Sequence, residues 1–190
     1  MHLRKGKAMK KIFIGSFLSI CLTCAGCSAT VPGAPAPKLD KAFSAQAEIS
    51  FDGESCKAQL RRFGGDSWEL CVTEPYALEG LVVSVKDGET KLSMYGLEGE
   101  ADCSESAISA ARLIADAMDS AAQGNCTESG GVLTVTGESE HSLYSLTLDE
   151  TGNPAELKLS GRNISVSLSD FKELPVSEQT EETEFDFSTE

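Results

Sequence analysis

Few side chains in this sequence are suited to acid–base or nucleophilic work. The chain has two histidines, His2 and His141, and only His141 lies beyond the N-terminal basic and apolar run. It stands beside Glu138 and Glu140, where an imidazole could act as a base or a ligand. A Ser-His-Asp set could be built only through His141, and no GxSxG sequence occurs. Zinc would need a CxxC or a second histidine near the cysteines, and neither occurs after residue 27. Gly64-Gly65 and Gly130-Gly131 open no helix, so they fit turns better than phosphate loops. Carboxylates are too numerous for any pairing to be informative. Arg61 and Arg62 are neighbours on one predicted strand, so one of them points inward and needs a carboxylate or a polar headgroup. The Asn163-Ile164-Ser165 sequon adds no chemistry. The expectation is a non-enzymatic protein with no catalytic residues, no cofactor and no metal.

Charge narrows the partners. The formal net charge over 190 residues is −14. Five of the 16 basic residues (Arg4, Lys5, Lys7, Lys10 and Lys11) lie in residues 1–27, where none of the 30 acidic ones does, so the remainder stands near −19. Such a surface repels phosphate backbones and anionic headgroups, which excludes nucleic-acid binding.

The first 27 residues have the character of an address. Lys10-Lys11 precede an apolar run from Ile12 to Thr23, which suits a signal peptide and is short for a membrane span. Met9 offers an alternative start of typical signal length. The run ends in Cys24-Ala25-Gly26-Cys27, which resembles the lipobox of bacterial lipoproteins. That resemblance implies cleavage before Cys27 and lipidation of its thiol, with Cys24 as the weaker acceptor; Cys24 also stands where leucine is usual. Two or three acyl chains on one residue anchor stably, where a single chain is marginal. The expected location is the extracytoplasmic face of the cell membrane. Residues 28–41 begin with SATVPGAPAPK, a proline-rich tether. Residues 175–190, PVSEQTEETEFDFSTE, form an acidic tail with the composition of a disordered segment.

Four cysteines remain, Cys56, Cys71, Cys103 and Cys126, allowing three disulfide connectivities in an exported chain. A tight turn at Gly64-Gly65 would set Cys56 opposite Thr73 and Cys71 opposite Ala58, leaving the two diagonal. Cys103 and Cys126 bracket a helix that would hold them roughly 30 Å apart.

The domain expected over 42–174 is mainly β. Period-two runs such as AFSAQAEISF, SWELCVTE and GLVVSVK alternate with Asp-Gly or Gly-Gly turns. The count is about nine strands. Between the fifth and sixth runs lies DCSESAISAARLIADAMDSAAQG, one amphipathic helix over about 102–124. Asp102 and Glu105 make a capping box, and Gly124 stops it. Ile108, Ala111, Ala115, Met118 and Ala122, with Ile114 and Ala121, define the inward face; Arg112, Asp116, Asp119 and Gln123 define the wet one.

Two segments in order carry a family resemblance. Trp68 leads a strand into Glu-Pro-x-x-Leu-x-Gly, then a strand, an Asp-Gly turn and a strand ending in Tyr-Gly; later comes LTLDETGNPAELKLSGRNISVSLSDF. Over Phe43 to Phe171 this order is similar to the LolA-like superfamily of outer-membrane lipoprotein carriers, including lipidated Gram-positive relatives. The resemblance implies a half-open antiparallel β-barrel with helix over its concave apolar face, and a cavity for acyl chains. Unlike the soluble carriers, this chain carries an anchor motif and only one lid helix, and no carrier arginine can be matched to Arg61 or Arg62. Candidate ligand-facing residues are Ile108, Ala111, Ile114, Ala115 and Met118. The small ones either leave room for a lipid chain or let the helix sit close on the strands. The function expected is binding of a lipid or lipoprotein acyl chain; the alternative is an interaction module that regulates a cell-envelope protein concerned with the wall or germination.

Overall fold

The computed structural model describes residues 37–100 and 106–175. Eleven strands and one helix follow in chain order: β1 (Phe43–Phe51), β2 (Glu54–Gly64), β3 (Ser67–Glu74), β4 (Leu81–Lys86), β5 (Glu89–Met94), β6 (Leu97–Glu100), α1 (Ser106–Ala122), β7 (Cys126–Ser129), β8 (Val132–Glu138), β9 (Leu143–Leu148), β10 (Pro154–Ser160) and β11 (Ile164–Glu173). A 3-10 turn at Tyr76–Leu78 joins β3 to β4.

All strands belong to one antiparallel sheet in the order β6-β5-β4-β3-β2-β1-β11-β10-β9-β8-β7. Two meanders thus run outward from a central seam where β1 pairs with β11. The sheet is not closed, because β6 and β7 are opposite edges. Curvature follows from the helix. It packs against β4 in one half and β8, β9 and β10 in the other. On a flat sheet β4 and β8 would lie roughly 34 Å apart, at about 4.8 Å per strand. The helix is only about 26 Å long and 10–12 Å across. The two wings must therefore curl towards α1, which makes a half-open barrel a fair rough description.

Alternation builds the concave side: Ile49 on β1, Leu60 on β2, Leu70 on β3, Val83 on β4, Leu146 on β9 and Val166 on β11 are all buried. The helix closes this core with Ile114, Ala117, Met118 and Ala121, each no more than 1% exposed. Phe43 stacks on Phe171 at 4.7 Å and meets Trp68 edge-on at 5.7 Å.

Two expectations change. The strand count is eleven rather than nine, because β6 (LEGE) and β7 (CTES) are four-residue strands with little apolar character. Their neighbours hold them: β5 pairs with β6 around a Tyr95-Gly96 turn, where Tyr95 takes φ +53°. The β2–β3 register also differs. An irregularity between Arg62 and Gly64 shifts the ladder, so Cys71 faces Gln59 and Ala58 faces Val72. Cys71 then lies between the buried Leu70 and Val72 and points to the opposite side from Cys56. Cys56, Cys71 and Cys126 are free thiols. Finally, α1 runs from Ser106 to Ala122; Asp102, Cys103 and Glu105 lie outside the described residues, as do Cys27, the segment before residue 37 and the tail after residue 175.

Candidate functional site: an apolar pocket beneath the helix

The space between helix and sheet is mostly filled. Met118 is fully buried, and Ala117 and Ala121 sit close on the strands. A gap remains under the first half of α1, where the roof residues are Ala110, Ala111 and Ile114. Two alanines there end at Cβ, so the roof stops short of the floor. The pocket measures about 80 Å³. Its floor and walls are Ile49 and Phe51 at the end of β1, Leu70 and Val72 on β3, and Leu81 and Val83 on β4. Cys56, Pro75 and Leu78 complete the apolar wall, and Glu54 and Ser55 stand at the mouth. Burial pushes the Cys56 thiol up from its ordinary range. Engineered cavities of about 150 Å³ admit benzene, and ligand sites usually span roughly 300–1,000 Å³. The closed pocket therefore fits the end of an alkyl chain, and a longer chain requires the helix to lift.

Of the five candidate helix residues, Ala111 and Ile114 line this pocket. Met118 is core, and Ala115 borders a separate cleft on the other flank. Ile108 is buried without lining either space. Ala110 is one of the small helix residues that the sequence suggested could leave room for a chain; the walls from β1 to β4 were not singled out, although they follow from strand alternation once the order of strands is known.

That second cleft, about 290 Å³, is polar and lies between α1 and the start of β3. It corrects the assignment of Asp119 to the wet face. One Asp119 carboxylate oxygen accepts from Trp68 Nε1 at 2.8 Å and the other from Arg62 Nη2 at 3.0 Å. The curled sheet partly covers this flank of the helix, so its polar residues meet strands as well as water. Burial pushes the Asp119 carboxyl up, and the Trp68 hydrogen bond and the Arg62 charge only partly oppose it. Arg62 is the inward member of its pair. Its side chain is 9% exposed, donates also to the Gly65 carbonyl at 3.1 Å and lies 5.4 Å from the Trp68 ring centre. The carboxylate partner expected for an inward arginine is thus present. Arg61 faces outward to Gln59 at 2.7 Å and Glu69 at 3.3 Å.

His141 is tied to the helix. Its Nδ1 lies 2.8 Å from Asp116 and 3.9 Å from Glu140. These three are described residues that could together hold a cation, with one ligand atom each within 4.8 Å of the others. Glu140 and His141 are exposed, and the geometry is that of a hydrogen bond joining α1 to the β8–β9 connection. The Asp116–His141 and Asp119–Arg62 contacts lie in the second half of α1, and the pocket lies under the first half.

No protein-family model matches the chain, and no curated protein matches it. Solved structures do. An uncharacterised conserved protein from Thermus thermophilus shares 10% identity over 72% of this chain and 80% of its own, with a TM-score of 0.43. A LolA superfamily protein from Nitrosomonas europaea shares 14% identity over 75% of this chain and 91% of its own, with a TM-score of 0.39. MucB, in the Pseudomonas aeruginosa MucA/MucB complex, shares 17% identity over 70% of this chain and 53% of the matched chain, with a TM-score of 0.35. The superfamily that the motif order resembles is thus among the structural neighbours, at TM-scores below 0.5.

Proposed function

We propose that this chain is a membrane-anchored extracytoplasmic binding protein, not an enzyme, that takes a lipid or lipoprotein acyl chain into the pocket beneath α1. The supporting observation is the pocket itself: apolar walls, a roof of two alanines and one isoleucine, and a mouth at the β1–β2 turn. Anchoring is inferred from the lipobox-like Cys24–Cys27 sequence. Binding in this reading is a lid movement. The second half of α1 is fixed by Met118 in the core and by the Asp119–Arg62–Trp68 cluster. The first half opens about that fixed end, exchanging its contacts with β4 for contacts with the ligand. Each buried methylene of a chain contributes about 0.8 kcal/mol, so a few methylenes offset the loss of one aliphatic contact.

Native mass spectrometry of residues 28–190, with and without added phospholipid or acylated peptide, tests the reading. A retained one-to-one adduct is the expected result. A domain that stays ligand-free at saturating lipid, with unchanged amide exchange in Ile108–Ile114, rejects it.

A further inference from the structure

We infer that the free edge of β6 docks an extended, basic peptide segment of a partner protein. This surface adjoins the pocket only through Leu81 and does not depend on what the pocket binds.

β6 is an edge of the sheet, so the outward backbone groups of Leu97–Glu100 pair with no other strand among the described residues. Beside this edge stand the most exposed large hydrophobic residues of the described chain: Tyr76 at 87%, Tyr95 at 79% and Leu97 at 78%. They form one area. The Tyr95 hydroxyl donates to the Glu79 carbonyl at 3.1 Å, and its ring lies 3.6 Å from where a Gly80 Cβ would stand. Tyr95 is thereby pinned across the β3–β4 connection that carries Tyr76. Leu97 sits opposite Met94, and Met94 opposite Leu81, so an apolar row crosses three strands and ends uncovered at the edge. Contiguous exposed apolar surface beside an open strand edge is what strand addition uses, main-chain bonds giving affinity and alternate side chains giving selectivity.

Charge identifies the occupant. β5 and β6 carry Glu89, Glu98 and Glu100 against a single base, Lys91. Glu79 is exposed in the adjoining connection. Glu98 alternates with Leu97, so it faces the other side of the sheet. A strand added to β6 meets an apolar surface with one set of side chains and carboxylates with the other. Its sequence therefore alternates apolar residues with lysine or arginine. A second copy of this chain brings the same acidic edge and a net charge of −14. An anionic bilayer repels the same carboxylates.

The test uses the anchored chain's soluble form, residues 28–190, and two fluorescent nonapeptides, one alternating lysine with valine and one alternating glutamate with valine. The lysine peptide is expected to bind about tenfold more tightly than its counterpart, with affinity falling as salt rises, and to protect the amides of Leu97–Glu100 from exchange. Glu98→Lys should weaken it by up to roughly fivefold, and Leu97→Asp should abolish detectable binding. Ala111→Leu in the pocket roof should leave it unchanged, which separates this surface from the lipid site. Equal binding of the two peptides, or protection elsewhere than β6, overturns the inference. So does sedimentation showing a dimer that masks Leu97, or phosphatidylcholine vesicles protecting the edge in place of the peptide.

Discussion

Filling the pocket from its roof is the sharpest test of how the helix sits. Ala111 is buried and lines the gap of about 80 Å³. Ala111→Leu adds three carbon groups there and keeps a strong helix former in place. At about 0.8 kcal/mol each, their burial contributes up to about 2.4 kcal/mol. Overpacking against Val83 or Leu81 costs about 1–3 kcal/mol where space is short. The net expected from these opposed effects lies between roughly −0.6 and +1.4 kcal/mol. Ala117 provides the contrast: it is fully buried and lines no pocket. Ala117→Leu has nowhere to put the same three carbons and should lose about 1–3 kcal/mol. Guanidinium unfolding of both variants measures the difference, and native mass spectrometry with phospholipid measures the consequence. The leucine at 111 should abolish the lipid adduct while the domain stays as stable as before. If both leucine variants lose stability equally, the gap under Ala111 is not a void. If the stable Ala111→Leu protein retains full lipid binding, the acyl chain binds elsewhere.

Asp119→Ala removes the acceptor for both Trp68 and Arg62 and leaves two buried donors unpaired, so unfolding should become easier by about 2–3 kcal/mol. pH separates two carboxyls by sign. Because burial raises Asp119 in the folded state, stability should fall as pH rises from its unfolded value near ~3.9 through its higher folded value. Asp149 behaves oppositely: burial nudges it up, but hydrogen bonds from Thr151 and Asn153 outweigh this and hold it low. Its contribution is present above about 3.9 and is lost as pH falls through its lower folded value. Denaturant midpoints against pH should lose the first slope in Asp119→Asn and the second in Asp149→Asn, and a profile unchanged in either variant contradicts the assignment. Cys56, in the pocket wall with a raised thiol, should alkylate slowly, faster with rising pH, and be protected by bound lipid. Site-resolved mass spectrometry reads this, with Cys71 on the opposite side of the sheet as the unprotected control.

The fold was legible where side chains obey a period. Nine of the strands carry alternating β-branched or aliphatic residues, and the helix carries a three-and-four spacing that survives in Ile114 and Met118. What alternation does not encode is pairing. LEGE and CTES form strands only because β5 and β8 offer them open edges, and no residue in either run announces this. Register is likewise non-local. The unpaired position between Arg62 and Gly64 moves Cys71 by one residue against β2, enough to undo a prediction built on a symmetrical turn.

The site was less legible, for a related reason. A helical wheel divides α1 into an apolar and a polar side on the assumption that it lies on a flat surface. Here the sheet bends round the helix, so Asp119 on the nominally wet side meets Arg62 and Trp68 from strands far along the chain, and Asp116 meets His141 from the β8–β9 connection. The inward arginine could be anticipated, since adjacent strand residues cannot both face water. Its partner could not, because 57 positions separate Arg62 from Asp119. The same curvature explains where the pocket lies. The pairings with Arg62, Trp68 and His141 engage the second half of α1, and the pocket lies between Ala110 and Ala111 of its first half and the β1–β4 floor. The pocket is therefore a product of how the sheet curves beneath the helix as much as of which residues are small.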